Sequence, residues 1–269
     1  MEKTMANIKN KDELIDVWKC NLKEETKRIK EYLDKGYTMI ALDTEFPGIY
    51  YRHRSYDKSN TNNKYQEIKL NVDNLKPIQV GITIMKPNST QKSGFLTWQF
   101  NLDFNVYTDT KKKEAIKMLK ESGIDFDKMV KEGIDLNSFK KALEATTLLN
   151  NQRLTWVTFH GGYDFAYLIK VITKKNLPDN SNKFVVLCKQ YFPYWFDVKV
   201  MLKAFGNLRF ISLKKLANHF NIRNEEGFHQ AGFDSFITGR VFLKMIQDVF
   251  KGNGEELYLN KIYEINTKR

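Results

Sequence analysis

The sequence predicts an α/β fold in which one β-sheet carries helices on both faces. Three observations lead there. Apolar runs of strand length gather in the first part of the chain, at Thr38–Leu42, Ile78–Met85 and Phe95–Asn101. A further run at Leu154–Phe159 turns straight into a helix, and helical spacing then alternates with one more short strand. With 269 residues, 42% of them hydrophobic, the chain can bury a core without disulfide or metal staples.

The elements follow in order. Ile15, Trp18, Leu22, Ile29 and Leu33 recur at helical intervals, which predicts an amphipathic helix over about 11–35, ended by Gly36. Thr38–Leu42 suits a buried strand and runs into Asp43-Thr44-Glu45-Phe46-Pro47-Gly48. Residues 52–64 are rich in Asn, Ser and Lys and read as a polar loop. Pro87, Asn88 and Ser89 supply the turn between the next two strands. Helices are expected at about 110–122, 126–132 and 136–150, and then at about 163–174, after the turn His160-Gly161-Gly162. The rest reads as helices near 181–191, 197–205, 211–220 and 231–250, with a short strand at Tyr194–Phe196. No internal repeat is visible. The chain reads as one domain over 1–269, with a core over about 10–250 and residues 251–269 as a C-terminal extension.

Composition narrows the function. No run approaches the roughly 18 apolar residues of a membrane span, and Met1–Lys11 is polar, which argues against a secretory signal. Cys20 and Cys188, far apart in helix-like stretches, read as buried free thiols of a reducing compartment. The net charge is +12, and Phe165–Arg223 carries +9 of it, with aromatic residues interleaved. A basic and aromatic surface suits a phosphate backbone with stackable bases, and it equally suits a solvated lysine surface over an aromatic core. Charge alone says polyanion-compatible.

The carboxylates are more informative. Asp43 and Glu45 lie two apart at a strand end, so both leave the same face and can reach one cation. Asp164 opens a helix after the Leu154–Phe159 strand, where an acid is also an ordinary helix-start residue. His229 precedes Asp234 by five residues at the front of the last long helix. Asp197 reads as the N-cap of the helix beginning at Val198. Each acid has a bland explanation by itself, and their conjunction does not.

That order of residues resembles the DEDDh group of 3′–5′ exonucleases. Whole strings then look like the Caf/Pop family of poly(A) deadenylases. They are Ala41-Leu42-Asp43-Thr44-Glu45-Phe46-Pro47-Gly48, Thr97-Trp98-Gln99-Phe100-Asn101, Phe159-His160-Gly161-Gly162-Tyr163-Asp164-Phe165, Tyr194-Trp195-Phe196-Asp197-Val198-Lys199 and His229-Gln230-Ala231-Gly232-Phe233-Asp234-Ser235. The resemblance spans about residues 10–250, and the strings around Asp43 and His229 are the most specific. Gly161 departs from the family's common serine, and Phe233 from a small polar residue. Neither departure removes a ligand.

The resemblance implies a ribonuclease H-like (DnaQ-like exonuclease) mixed sheet flanked by helices. It makes Asp43, Glu45, Asp164 and Asp234 ligands of two divalent ions, Mg2+ or Mn2+, and His229 the catalytic base. Hard divalent cations take oxygen ligands, and histidine ordinarily titrates nearest neutrality. Poly(A) RNA is the implied substrate, shortened from its 3′ end with release of 5′-AMP. Phe46 and Phe233 are candidates to stack on the terminal base, and Lys174, Lys175, Lys214 and Lys215 to meet phosphates. Implied partners are a Not-type scaffold, a leucine-rich-repeat Ccr-type deadenylase and Tob/BTG-type adaptors, and no membrane. Cytoplasm and nucleus are the expected compartments. The alternatives are an exonuclease acting on other RNA or DNA ends, and a scaffold that keeps the fold and works through protein contacts.

Overall fold

The structure is a computed structural model that describes residues 13–52, 61–87, 89, 94–203, 211–222 and 228–267. The strand β2 (Met39–Glu45) is apolar at every position from Met39 to Leu42, as suits a strand covered on both faces. It pairs antiparallel with β3 (Gln79–Met85) and parallel with β5 (Thr155–Thr158). β3 continues antiparallel into β4 (Phe95–Asn101), β4 pairs parallel with β1 (Glu13–Val17), and β5 pairs parallel with β6 (Tyr194–Asp197). Among the described residues this gives a six-stranded mixed sheet in the order β1-β4-β3-β2-β5-β6.

Alternation along β2 sorts the core. Ile40 and Leu42 join one apolar cluster with α6 (Gly162–Thr173), while Met39 and Ala41 join another with α10 (Ala231–Met245). Continued, the same alternation sends Thr44 towards the α6 face and both Asp43 and Glu45 towards α10. Beside α6 lie α2 (Thr61–Asn74), α5 (Leu136–Ala145) and α7 (Ser181–Tyr191). α10 crosses β2, β3, β4 and β5. It comes very close to the sheet because β3 has a glycine there: a Cβ on Gly81 would collide with the Ala231 carbonyl oxygen. Buried side chains such as Ile237, Val241 and Phe242 each contribute about 1.5–3 kcal/mol to holding it.

Several expectations change. The helix expected over 11–35 is a strand followed by α1 (Leu22–Asp34). Over β1 the operative period is two: Val17 is fully buried and Ile15 packs on the core, while Leu14 is exposed. Residues 53–60 of the expected 52–64 loop lie outside the described residues, and Thr61 already begins α2. That helix was legible in the apolar stripe Tyr65, Ile68, Val72 and Leu75, all buried, but its exposed side is so polar that it read as loop. The 136–150 helix stops at Ala145. The expected 197–205 helix is the short α8 (Val198–Met201), and 204–210 lie outside the described residues. The 231–250 helix is α10 continued by a π-helical turn, Ile246–Phe250. Cys20, expected buried, is exposed in the turn before α1, whereas Cys188 is buried.

Residues beyond 250 also belong to the body of the fold. Ile262 and Ile265 sit in the α6-side cluster. Asn260 exchanges two hydrogen bonds with the backbone of Trp195 in β6, its N–H donating to the carbonyl oxygen and its Oδ1 accepting from Trp195 N–H. The tail thus covers the open edge of β6.

Candidate active site

Asp43 and Glu45 stand half-buried at the C-terminal end of β2, where strand pairing fixes their backbone opposite Gly81 and Gln79. Asp164 arrives from the other face, in the first turn of α6, and is almost fully buried. Thr44 fastens it: its hydroxyl donates to Asp164 Oδ1 at 2.6 Å. The residue between the two strand acids therefore ties the third acid to them. Sequence reading passed over Thr44, although its position in the D-T-E string is the signal.

Asp234 lies in the first turn of α10 and is buried. Its Oδ2 accepts the His229 N–H at 3.1 Å, and its Oδ1 is buried with no hydrogen-bond partner among the described residues. His229 adopts a left-handed backbone (φ 66°) in the turn before α10, a conformation that histidine tolerates better than most residues. Its carbonyl oxygen accepts from Ser122 Oγ at 2.9 Å, and Gln230 Nε2 donates to the Ser122 carbonyl at 2.7 Å. So clamped, the exposed His229 side chain reaches the cluster: Glu45, His229 and Asp234 each offer a ligand atom within 4.8 Å of the others.

The start of α10 is held by amides of the sheet. Gln79 Oε1 accepts from Ala231 N–H at 3.2 Å, and Gln99 Oε1 from Gly232 N–H at 3.0 Å. These satisfy helix-start donors that no residue of the helix itself caps. Both glutamines were missed by sequence reading, and a glutamine inside an apolar strand is the trace they leave.

The acids strain against one another. Burial raises the Asp43 carboxyl well above its usual range, and the charges of Asp164, Asp234 and Glu45 raise it further. Burial, then Asp234 and Asp164, push Glu45 up to about 8. Asp164 is pushed up to about 7 by burial, against the Thr44 hydroxyl that lowers it. Burial likewise takes Asp234 to about 7, with the His229 N–H pulling down. Four acids crowded this closely, one with an orphaned buried oxygen, fit a site for hard divalent cations.

The other candidates scatter. Phe46 stacks on Tyr163 on the α6 side (centroids 4.6 Å apart), and Phe233 sits edge-on to Phe228 on the α10 side, so the two half-buried rings flank the cluster on opposite faces. Lys214, on α9 (Leu213–His219), places its Nζ 5.5 Å from the centre of the Phe228 ring, next to His229; Lys215 is exposed on the same helix. Lys174 caps the far end of α6, ten residues from Asp164, hence about 15 Å along the helix, and Lys175 follows it. The structure does not bring that pair to the site. Arg209 and Arg223 of the basic stretch lie outside the described residues.

Asp197 does cap α8, through Lys199 N–H at 2.9 Å, and it also binds the turn that opens α6.

The sequence matches the CAF1 family ribonuclease over residues 17–156 and 136–242. The chain belongs to this family. Among relatives of this CAF1 family member is the protein named poly(A) ribonuclease pop2 of Schizosaccharomyces pombe, 35% identical over 252 residues that cover 94% of this chain and 75% of that one. The solved structure of S. pombe Pop2p in its Mg2+ and Mn2+ bound form superposes with a TM-score of 0.86 at 36% identity, covering 93% of this chain and 99% of the other. A CAF1 chain co-crystallised with the yeast NOT1 MIF4G domain matches with a TM-score of 0.79 at 28% identity, covering 93% and 96%. The expected ribonuclease H-like mixed sheet is the fold of this CAF1 chain.

Proposed function

We propose that this protein is a 3′–5′ exoribonuclease that shortens poly(A) tails and releases 5′-AMP by two-metal-ion hydrolysis of the terminal phosphodiester. One observation carries the reading: Asp234, whose buried Oδ1 has no hydrogen-bond partner among the described residues, shares a cluster with Asp43, Glu45, Asp164 and His229. Asp43, Glu45, Asp164 and Asp234 would hold the ions, Mg2+ or Mn2+, the two metals bound in the solved Pop2p relative. Such ions neutralise the phosphate and lower the pKa of water.

The chain's own groups do the rest. The strand acids and the two helix-borne acids fix where the scissile phosphate must sit, so the reacting atoms meet in line. An imidazole nitrogen of His229, on the solvent side of the cluster, accepts the proton of the attacking water. Phe46 and Phe233 offer apolar surface on either side for the last base, and stacking of this kind tolerates any base at about 1–3 kcal/mol. Preference for adenine then comes from the stacked geometry of an A-tract. The poly(A) ribonuclease name of the S. pombe relative supports that substrate.

A Not-type scaffold is the partner supported by the CAF1–NOT1 co-crystal relative. A Ccr-type deadenylase and Tob/BTG-type adaptors complete the proposed assembly, working in the cytoplasm and in the nucleus. Among the described residues no helix is long and apolar enough to cross a membrane.

The test is a 5′-labelled RNA with a 3′ A-tract, incubated with and without Mg2+. It should shorten one nucleotide at a time only with metal, release 5′-AMP, and stop when the 3′ end carries a phosphate. Cleavage of a circular RNA would overturn the reading.

A further inference from the structure

Asp197 is fully buried at the end of β6, and four backbone N–H groups converge on its carboxylate. Oδ1 accepts from His160 at 2.9 Å and Lys199 at 2.9 Å; Oδ2 accepts from Gly161 at 3.1 Å and Tyr263 at 2.9 Å. These donors come from three separate segments: the turn before α6, the start of α8 and the C-terminal tail. Two of them matter most for the acid cluster. Gly161 is the N-cap of α6 and has no side chain to cap with, and His160 before it holds a left-handed backbone (φ 70°). A carboxylate from another strand instead holds the backbone of the two residues that lead into the helix. Asp164 is the third residue of the helix so anchored.

The tail supports the same turn from outside. The His160 ring meets the Tyr263 ring edge-on (centroids 4.9 Å apart), and Ile265 is 2% exposed. A Cβ on Gly162 would lie 3.3 Å from Ile265 Cδ1, so the tail packs directly on the first residue of α6. Trp195, two residues before Asp197, is bonded to Asn260 and donates its indole N–H to the Lys261 carbonyl at 3.2 Å.

We infer that Asp197, closed over by the tail segment Asn260–Ile265, is a positioning residue that sets the height and orientation of Asp164 for cation binding. The inference rests on the metal-holding reading of the cluster. Asp164 is tethered at one end by the Thr44 hydroxyl and at the other by its helix start. If the start shifts, the Thr44 contact alone must hold a buried carboxylate against three others. Outer residues that orient ligands are typically worth 10–100-fold in metal affinity or activity. The tail, by this account, belongs to the catalytic apparatus although it supplies no group to the reaction.

The test compares the full-length chain with Asp197→Asn and Ile265→Ala. Asp197→Asn keeps shape but turns an amide N–H2 towards two of the four N–H donors. Mn2+ alone is titrated by calorimetry, and kcat and KM are read on A-tract RNA, after thermal melts have shown which variants are folded. Asp197→Asn should weaken Mn2+ binding and lower kcat by about 10–100-fold with KM nearly unchanged. Ile265→Ala, which thins the packing on Gly162 and removes none of the four N–H donors to Asp197, should shift both in the same direction by less. A folded Asp197→Asn with wild-type Mn2+ affinity and kcat overturns the inference. If Asp197→Asn does not fold, a folded Ile265→Ala with wild-type Mn2+ affinity overturns it in its place. A wild-type chain that binds no Mn2+ would fail the metal-holding reading itself, a result separate from either variant's.

Discussion

Two sets of buried acids sit near one another in this molecule, and they are built on opposite principles. Asp197 has no exposure and four N–H donors, so its charge is answered by the protein. Burial pushes its carboxyl up, while His160 and the backbone donors pull it down. Asp234 is almost as buried, but among the described residues it receives a single backbone N–H and one of its oxygens receives nothing. At Asp43 and Glu45 every influence raises the pKa. A buried carboxylate with its donors supplied is a fastening, and one left short of donors is waiting for a cation.

Removing an acid from the short-supplied set should break the comparison hardest. Asp43→Ala or Asp234→Ala should leave no detectable RNA shortening at saturating Mg2+, while the metal-free fold melts at the same or a higher temperature because repulsion is relieved. Turnover retained by Asp43→Ala would remove it from the ligand set. His229→Ala comes next, with a rate loss of about 10²–10⁴-fold and metal affinity largely kept. Its reach to Glu45 and Asp234 makes the alternative concrete: loss of Mn2+ binding by calorimetry would make it a ligand.

Acidity sharpens the contrast without mutation. Unfolded, these acids titrate at their ordinary values of 3.8 and 4.5; folded, Glu45 is raised to about 8 and Asp164 and Asp234 to about 7. Across that window the metal-free native state holds protons that the unfolded chain has released, so stability falls as pH rises. The chelator-treated protein should therefore melt higher at pH 5 than at pH 8, by a difference on the order of a few kcal/mol. Added Mg2+ should stabilise it more at pH 8 than at pH 5, because there binding displaces fewer protons. A melting temperature flat in pH would show that the acids are not coupled as described.

The smallest effect separates the lysines. Lys214→Gln should reduce the salt slope of A-tract binding by about 0.7, one phosphate's worth on a single strand, whereas Lys174→Gln with Lys175→Gln should leave it unchanged. Equal effects from both would place RNA along the far end of α6 as well.

Legibility followed how local the cause was. Strands β3 and β4 and helix α7 could be read because their patterns are self-contained, with turn or capping residues at their ends; Asn180, for instance, caps α7 through its side chain. β1 misled because five residues are too few to separate a period of two from one of three or four, and its pairing with β4 lies some eighty residues away in sequence. The acids and His229 were named from spacing and strings, but nothing in those strings told that Thr44 holds Asp164 or that Gln79 and Gln99 seat α10.

What the sequence alone determined is chemistry and local form: which side chains can ionise, which runs suit strand or helix, and that Asp43 and Glu45 must share a face. Those follow from residue type and backbone periodicity, which act over a few residues. The tertiary structure decided which acids keep an unmatched charge. Asp197 and Asp234 are the same residue at the start of a helix, and only packing brought the His160 turn and the tail to one while leaving the other a bare oxygen. Lys199 is the local donor that the cap pattern foretold; the other three donors come from segments far apart in the chain, so no local pattern encodes them.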